Sequence, residues 1–329
     1  MAKGANQKFK LYYLAKIMME KTDEEHFLTM SEIISQLDEY GVSAERKSIY
    51  TDLQELERFG IEIAGEKEGK SYRYHVISRQ FEVAELKLLV DAIQSSKFIT
   101  EKKSTELIHK LESLVSQHEA RLLHRQIFLS GRVKTVNESI YYNVDEIYNA
   151  MSANRQIAFQ YYKWNTRKEM VLRHDGKVYQ VSPLGLSWDD ENYYLVAYDS
   201  EAGKIKHFRV DKMIHIRLLD EKREGKEQLE ELNMANYARK SFGMYGGVEQ
   251  TVKLKVANDM AGVMIDRFGK DIFMIPYDEE HFTVNVEVQV SPQFFGWIFS
   301  LGSGVTIVGP EAIVEQARQQ IRRLQEQYL

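Results

Sequence analysis

Apolar residues recur along the chain in two rhythms, and the points where the rhythm changes divide it. From Phe9 to Glu20, the spacing of Leu11, Leu14, Ala15 and Met18 predicts a helix. Ile33, Ile34 and Leu37 predict a short second helix. Thr29-Met30-Ser31-Glu32 opens it as a capping box, with Thr29 as cap and Glu32 reaching back. Gly41-Val42 makes a turn. Ser43 is the expected cap of a third helix, which turns Ile49, Leu53 and Leu56 inward and stops at Gly60. The period then shortens to two. Ile61 to Ala64 and Tyr72 to Val76 read as strands joined by a charged tip, Gly65 to Lys70. Helical spacing returns over Phe81 to Ile93 (Leu86, Leu89, Val90, Ile93) and Thr105 to Val115 (Leu107, Ile108, Leu111, Leu114). Neither helix can bury its own stripe. Ile127 to Val133 reads as an added strand, Asn143 as the opening of a helix through Ile147, and Ile157 to Tyr162 as a strand.

The stretch from Tyr179 to Leu219 holds three runs dense in β-branched and aromatic residues. Asp189-Asp190-Glu191-Asn192 and Asp199-Ser200-Glu201-Ala202-Gly203 cut it into three runs, the pattern of consecutive antiparallel strands. Side chains alternate along a strand. Phe208 therefore points one way, and His207 and Arg209 the other. Likewise Tyr193, Leu195 and Ala197 share one face, and Tyr194, Val196 and Tyr198 the opposite one. With Phe208 in the core, a polar, aromatic and cationic face is left for a flat anionic partner. Glu221 to Gly247 is polar and reads as a connector. Beyond it, Val252-Leu254-Val256, the helix-spaced Ala261, Met264, Ile265 and Phe268, Ile272 to Ile275, and the alternating Phe282 to Val290 follow in turn. A helix capped by Ser291-Pro292, the strand Val305 to Val308 and a terminal helix opened by Pro310 complete the order β-α-β-β-α-β, the ferredoxin-like arrangement.

The chain has 329 residues, enough for two or three domains. Its formal charge of -5 gives no bulk attraction to nucleic acid, so any DNA-binding face must be local. The absence of cysteine excludes disulfides, thiolate nucleophiles and cysteine zinc sites, and suits a reducing cytosol. The first ten residues hold no apolar signal core, and no stretch approaches the roughly 20 apolar residues of a membrane span. A cytoplasmic protein is expected.

Three short helices followed by a hairpin is the winged helix-turn-helix plan, in which the helix after the turn enters the major groove. Its exposed face would carry Arg46, Lys47, Ser48, Tyr50, Thr51 and Gln54 to DNA, with Lys70 and Arg73 of the wing on phosphates. The plainer alternative is a solvated polar helix and an ordinary surface hairpin.

Pro183-Leu184-Gly185-Leu186, then Tyr193-Tyr194-Leu195 in place of Trp-Tyr-Leu, then His207-Phe208-Arg209-Val210-Asp211-Lys212-Met213 resemble the WYL domain of bacterial transcription regulators. Lys212 stands where arginine is commoner, which keeps charge but loses the bidentate fork. Trp297, Leu301-Gly302 and Val308-Gly309-Pro310-Glu311 resemble the extension common behind WYL domains. The resemblance implies an α+β, multidomain chain: a winged helix-turn-helix over 1–80, a helical linker or dimerisation region over 81–138, and a small antiparallel β-barrel-like WYL domain over 139–222. A connector over 223–247 and a ferredoxin-like C-terminal domain over 248–329 would follow. It also implies a nucleotide or oligonucleotide effector, with Ser182, Tyr193, His207, Arg209 and Lys212 carried over as ligand-binding candidates.

No reaction centre emerges. There is no His-Glu-x-x-His, and Gly302-Ser303-Gly304 lacks the nucleophile elbow. Gly65 to Ser71 is one residue short of a phosphate-binding loop and leads into a strand. The expectation is thus no enzyme, no metal and no cofactor. The partners expected are a double-stranded DNA operator and a second copy of the chain in a homodimer. An enzyme acting on nucleotides or nucleic acid, targeted by the winged helix, is the alternative. So is an adaptor in which Arg209 and Lys212 merely pair with acidic neighbours such as Asp211.

Overall fold

The computed structural model describes residues 6–69, 71–124, 133–225 and 240–329. The chain is a mixed α+β protein that divides into two compact units, one ending at Val136 and the other starting at Asn137.

The first unit opens with α1 (Lys10–Lys21), α2 (Met30–Glu39) and α3 (Arg46–Arg58). A three-stranded sheet accompanies them: β1 (Leu28–Thr29), β2 (Ile63–Glu68) and β3 (Ser71–Val76), with β3 in the middle. The capping box on α2 is made as the sequence requires. Thr29 N donates to Glu32 Oε2 at 2.7 Å, and Glu32 N donates to Thr29 Oγ1 at 3.4 Å. Ser43 does not cap α3. That helix starts at Arg46, with Glu45 as a cap that offers no side-chain bond, and Ser48 Oγ donates back to Glu45 O at 3.0 Å. The delay has a packing cause: Val42 is fully buried, so the chain must first enter the core before it can turn into α3. Leu14, Ile17, Met18, Ile33, Leu37, Ile49 and Leu56 join Val42 in one core. Each such side chain contributes about 1.5–3 kcal/mol by leaving water.

Beyond the hairpin lie α4 (Val83–Ser95), α5 (Glu101–Glu112) and α6 (Gln117–His124). α5 starts four residues before the expected Thr105 because Thr100 caps it, accepting from Lys103 N at 3.1 Å. Leu86, Val115 and Leu123 form a separate small core. Leu89, expected in the buried stripe of α4, is instead exposed beside Leu88. Asp23, buried at the end of α1, accepts from His26 N, His26 Nδ1 and Ser116 Oγ at 2.9, 2.7 and 2.5 Å. These bonds tie the end of the first helix to the turn before α6. Most of the strand expected over Ile127 to Val133 lies outside the described residues.

The second unit begins with α7 (Ile140–Ser152), whose buried Ile140, Asn143, Ile147 and Ala150 recur at helical spacing. The helix opens three residues before Asn143, which is an interior position rather than a cap. Six strands follow: β4 (Arg155–Trp164), β5 (Met170–Leu172), β6 (Val178–Asp189), β7 (Asn192–Asp199), β8 (Lys204–Arg209) and β9 (Met213–Lys222). The sheet runs β5-β4-β6-β7-β8, with β9 also paired to β4. The third run of the sequence is two strands, because a 3₁₀ turn, Val210–Lys212, breaks it. β8 and β9 would have to pair to close a barrel, and among the described residues they do not, so the expected barrel is an open sheet. Part of the expected connector, 226–239, lies outside the described residues.

The chain resumes with β10 (Val248–Ala257), α8 (Ala261–Phe268), β11 (Met274–Pro276), β12 (His281–Val290), α9 (Pro292–Ser300), β13 (Val305–Gly309) and α10 (Glu311–Tyr328). The strands lie in the order β11-β12-β10-β13. Val252, Leu254 and Val256 of β10 face the same core as Val284, Val286 and Val288 of β12, closed by Phe294 and Ile298 of α9. Gly247 is needed where β10 begins: a Cβ there would sit 2.2 Å from the Val290 carbonyl oxygen. Among the described residues no helix is long and apolar enough to cross a membrane.

Strand parity in β8 falls as the sequence predicts. Phe208 is buried among Phe159, Tyr161 and Tyr179, with ring centroids 5.0, 5.8 and 5.5 Å away. Phe208→Ala should lower the unfolding free energy by about 3 kcal/mol. Glu326→Ala, on the exposed end of α10, should change it by less than about 0.5 kcal/mol. Urea unfolding of the two variants beside the parent checks both values.

Candidate functional site

Cross-strand register decides what shares a face with Arg209. Tyr194 pairs with Arg209, Leu195 with Phe208 and Val196 with His207. Directly opposed residues project to the same side of a sheet. Tyr194, His207 and Arg209 therefore stand together, and they line a cleft of about 710 Å³. β4 contributes Tyr161, Tyr162 and Lys163, the 3₁₀ turn after β5 contributes Arg173 and His174, and the turn after β8 contributes Lys212. Gly243 to Gly246, just before β10, complete the lining. A second cleft of about 640 Å³ adjoins it, sharing Tyr161, Arg173, His174, His207 and Gly246.

The turn Val210–Lys212 is held from beneath. Asn143 Nδ2 donates to Met213 O at 2.8 Å, Asn137 Nδ2 to Asp211 O at 2.8 Å, and Tyr162 Oη to Asp211 O at 3.2 Å. Arg173 rides on the turn Arg173–Gly176, where His174 and Asp175 take left-handed backbone conformations and Gln160 Nε2 donates to Gly176 O at 2.8 Å. Its guanidinium carbon lies 5.7 Å from the Tyr161 ring centre.

The charges differ from the sequence reading. Arg209 does not offer a free fork. Its Nε and Nη2 bind the two carboxylate oxygens of Asp211 at 3.0 and 2.9 Å, and Nη2 also reaches Asn192 Oδ1 at 2.8 Å. Burial works against its charge, but the Asp211 carboxylate outweighs it and raises the guanidinium pKa. Lys206 is engaged by Asp199 at 2.5 Å. His207 is not a cation at neutral pH, because burial pushes its pKa down to about 4. What remains cationic is Lys163, Arg173 and Lys212: among the described residues none of them makes a side-chain hydrogen bond or a salt bridge, although the Asp211 carboxylate acts on Lys212 at longer range. The Lys212 pKa is lowered, first by burial and then by repulsion from Arg209. Burial likewise raises the Tyr161 phenol to about 12, so it stays protonated beside these charges.

Two carried-over residues lie elsewhere. Ser182 is fully buried and its hydroxyl accepts from Glu224 N at 2.8 Å, a structural tie after β9. Tyr193 faces away from Arg209 and packs its ring 4.6 Å from that of Trp188. The neighbouring Tyr194 occupies the position the sequence reading gave to Tyr193. Lys163, Arg173 and the 243–246 segment were missed. Only their meeting in space marks them, and no local motif announces it.

In the first unit, Arg46, Lys47, Tyr50, Thr51 and Gln54 are all exposed on α3. Arg46 Nε donates to Tyr50 Oη at 3.1 Å. Ser48 is half-buried and accepts from Lys10 Nζ at 2.7 Å, so it is not a free contact residue. Arg73 is also committed. It pairs with Glu66 at 3.2 Å and lies 4.0 Å from the Phe27 ring centre. Lys70 lies outside the described residues.

Asp211 is buried and Arg209 is its cation. Arg209→Ala should therefore cost about 1–3 kcal/mol of stability, and Asp211→Asn in the same chain should restore part of it. Denaturation of both single variants and the double variant measures the coupling. His207 gives a pH signature. Its pKa is 6.5 in the unfolded chain and about 4 in the folded one. Between those values the unfolded chain takes up a proton that the folded chain refuses, so stability falls as pH drops through this window. Urea midpoints should decline from pH 7 to pH 5, and His207→Gln should flatten the decline.

Comparison with known proteins places names on these parts. The sequence matches the WYL domain over residues 142–218 and the WCX domain over residues 249–325. A solved structure, proteasome accessory factor B/C (PafBC) of Arthrobacter aurescens, matches with 18% identity, covering 97% of this chain and 46% of that one, at a TM-score of 0.26. The chain thus spans less than half the length of that protein. No curated protein matches the sequence. The chain thus contains a WYL domain with a WCX domain behind it.

Proposed function

We propose that the protein is a sequence-specific DNA-binding transcription regulator, acting as a homodimer, whose WYL domain senses an anionic nucleotide or nucleic-acid ligand. The observation that carries the sensor reading is the cleft beside β8. Lys163, Arg173 and Lys212 converge there with no salt bridge of their own among the described residues, next to the rings of Tyr161 and Tyr194. Unpaired cations in a half-buried cleft repel one another, and a polyanion relieves that repulsion. Aromatic rings beside the charges suit a ligand with flat bases. Arg209 contributes the field of its charge and orients Asn192, rather than a free bidentate fork.

The DNA reading is supported by the first unit. α2, a turn and α3 precede a β-hairpin, and α3 exposes Arg46, Lys47, Tyr50, Thr51 and Gln54 on one side while Ile49, Leu53 and Leu56 hold the other in the core. Such a helix reads base edges in the major groove. For the dimer, Leu88 and Leu89 on α4 form an exposed apolar pair that a second copy would cover. On this reading the WCX domain, with its β-α-β-β-α-β order, is a ferredoxin-like extension of the sensor.

Sequencing the DNA fragments that the full chain selects, with and without short single-stranded oligonucleotides, tests the whole proposal. Arg46→Ala and Gln54→Ala should each weaken the selected site by about tenfold or more while leaving unrelated DNA unchanged. Arg173→Ala and Lys212→Ala should keep operator affinity but no longer answer the oligonucleotide. Unchanged site affinity in the first pair means the wrong helix was chosen. A full response in the second pair means the cleft is not the sensor.

A further inference from the structure

One wall of the cleft does not belong to the WYL sheet. Gly243 to Gly246 come from the segment that leads into β10, and the residues just before them are built into the WCX core. Phe242 is buried, with its ring 5.4 Å from Phe294 and 5.2 Å from Trp297. Arg267 of α8 lies over the Phe242 ring at 4.1 Å and donates through Nη2 to Ser241 O at 2.6 Å. The backbone then reverses tightly. Tyr245 N donates to Phe242 O at 3.2 Å, and the two residues between them, Gly243 and Met244, have φ of 58° and 53°. Two consecutive left-handed residues make the mirror-image turn that suits a two-residue hairpin. A non-glycine residue pays conformationally to adopt that form. Met244 does so while buried, which fixes the turn's direction.

The consequence is the placement of Tyr245. Its side chain lines the cleft and is 56% exposed, and its ring has no aromatic or cationic partner among the described residues. Tyr194 lines the same cleft from the sheet. A large ring left in water beside uncommitted cations is the arrangement a nucleic-acid base completes: the cations take phosphate and the ring takes the flat face of a base.

We propose that Tyr245 is a ligand-contacting residue on which a base of a bound nucleotide chain stacks, and that Arg267 is the positioning residue that holds it there by fixing the Phe242–Tyr245 turn to the WCX core. Arg267 itself touches no ligand. The proposal rests on the reading of the cleft as an anion sensor and adds to it that the WCX domain supplies the base-recognising wall. The site then distinguishes a nucleotide chain from a base-free polyanion, and Tyr245 is where the distinction is made.

The test uses the full chain, a fluorescent single-stranded oligothymidylate as probe, and inorganic tripolyphosphate as a competitor of similar charge without bases. Tyr245→Ala should weaken the oligothymidylate by about tenfold, the value of one base–aromatic stack, and leave the tripolyphosphate constant unchanged. Tyr245→Phe should bind both as the parent does. Arg267→Lys keeps the charge but loses the planar group over Phe242. It should shift the ratio of the two affinities in the same direction as Tyr245→Ala, which a general loss of stability would not do. Equal weakening of both probes by Tyr245→Ala, or no weakening of either, overturns the proposal. If tripolyphosphate binding still depends on Arg173 and Lys212 in that case, the anion-sensor reading stands without it. If the parent binds neither probe, both fall together. Should Arg267→Lys fail to fold, the Tyr245 pair decides alone.

Discussion

Asp211 is a buried carboxylate, and a buried carboxylate without a cation is costly. Its partner is Arg209, two residues earlier, which sets the Nε–Nη2 edge of its guanidinium against both carboxylate oxygens. That pairing spans the end of β8 and the start of the Val210–Lys212 turn, so the strand cannot run on into β9. Asn137, Asn143 and Tyr162 then hold the carbonyls of the same turn. Each of these bonds satisfies a backbone acceptor that a tight buried turn would otherwise orphan. Together they fix the backbone beneath Lys212. The Arg209–Asp211 pair is thus structural, and the turn it helps to hold presents Lys212 to the cleft.

The first unit uses a buried aspartate in the same manner. Asp23 collects donors from His26, Glu25 and Ser116, and these more than offset the effect of burial, so its pKa is lowered. Its stabilising contribution is complete above the ordinary carboxylate range and fades as pH falls through it. Arg79 lies nearby, donating to the carbonyls of Met19 and Thr22 and facing Glu119 at 3.5 Å. The end of α1 and the turn into α6 are therefore joined by charge-assisted bonds rather than by apolar contact alone. Such joints have defined geometry, and they hold the hairpin side of the unit to the helices that follow it.

How far the sequence carried depends on the range of the interaction. Alternation in β8 and β12 is a period-two signal within a few residues, and Phe208, Val284, Val286 and Val288 fall on the side it assigns. The Thr29–Glu32 box and the Ser291 cap are equally local. Failures begin where a partner lies across strands. Tyr193 and Tyr194 are equivalent in composition, and only the pairing of Tyr194 with Arg209 decides which ring meets the cleft. Lys206 and His207 look like half of a cationic patch until Asp199 claims one and burial discharges the other. Ser43 has the chemistry of a helix cap, but the burial of Val42 moves the helix start beyond its reach. Arg173 sits on a short turn whose left-handed residues, His174 and Asp175, no local pattern foretells.

A ligand shifts a conformational equilibrium only by binding its two states differently. A cleft formed wholly by one rigid sheet would hold a ligand without reporting it. This cleft has walls of two origins: a sheet surface that brings the cations, and a turn whose anchor is the WCX core. Arg267 also faces the β6–β7 turn, where its charge pulls down the pKa of the half-buried Asp189 against the dominant upward effect of burial. Among the described residues neither Arg267 Nε nor Asp189 Oδ2 has a hydrogen-bond partner. Buried polar groups left unsatisfied in this way raise the energy of the arrangement that contains them. The contact between the two domains therefore rests on a long-range attraction between Arg267 and Asp189 rather than on a direct salt bridge among the described residues.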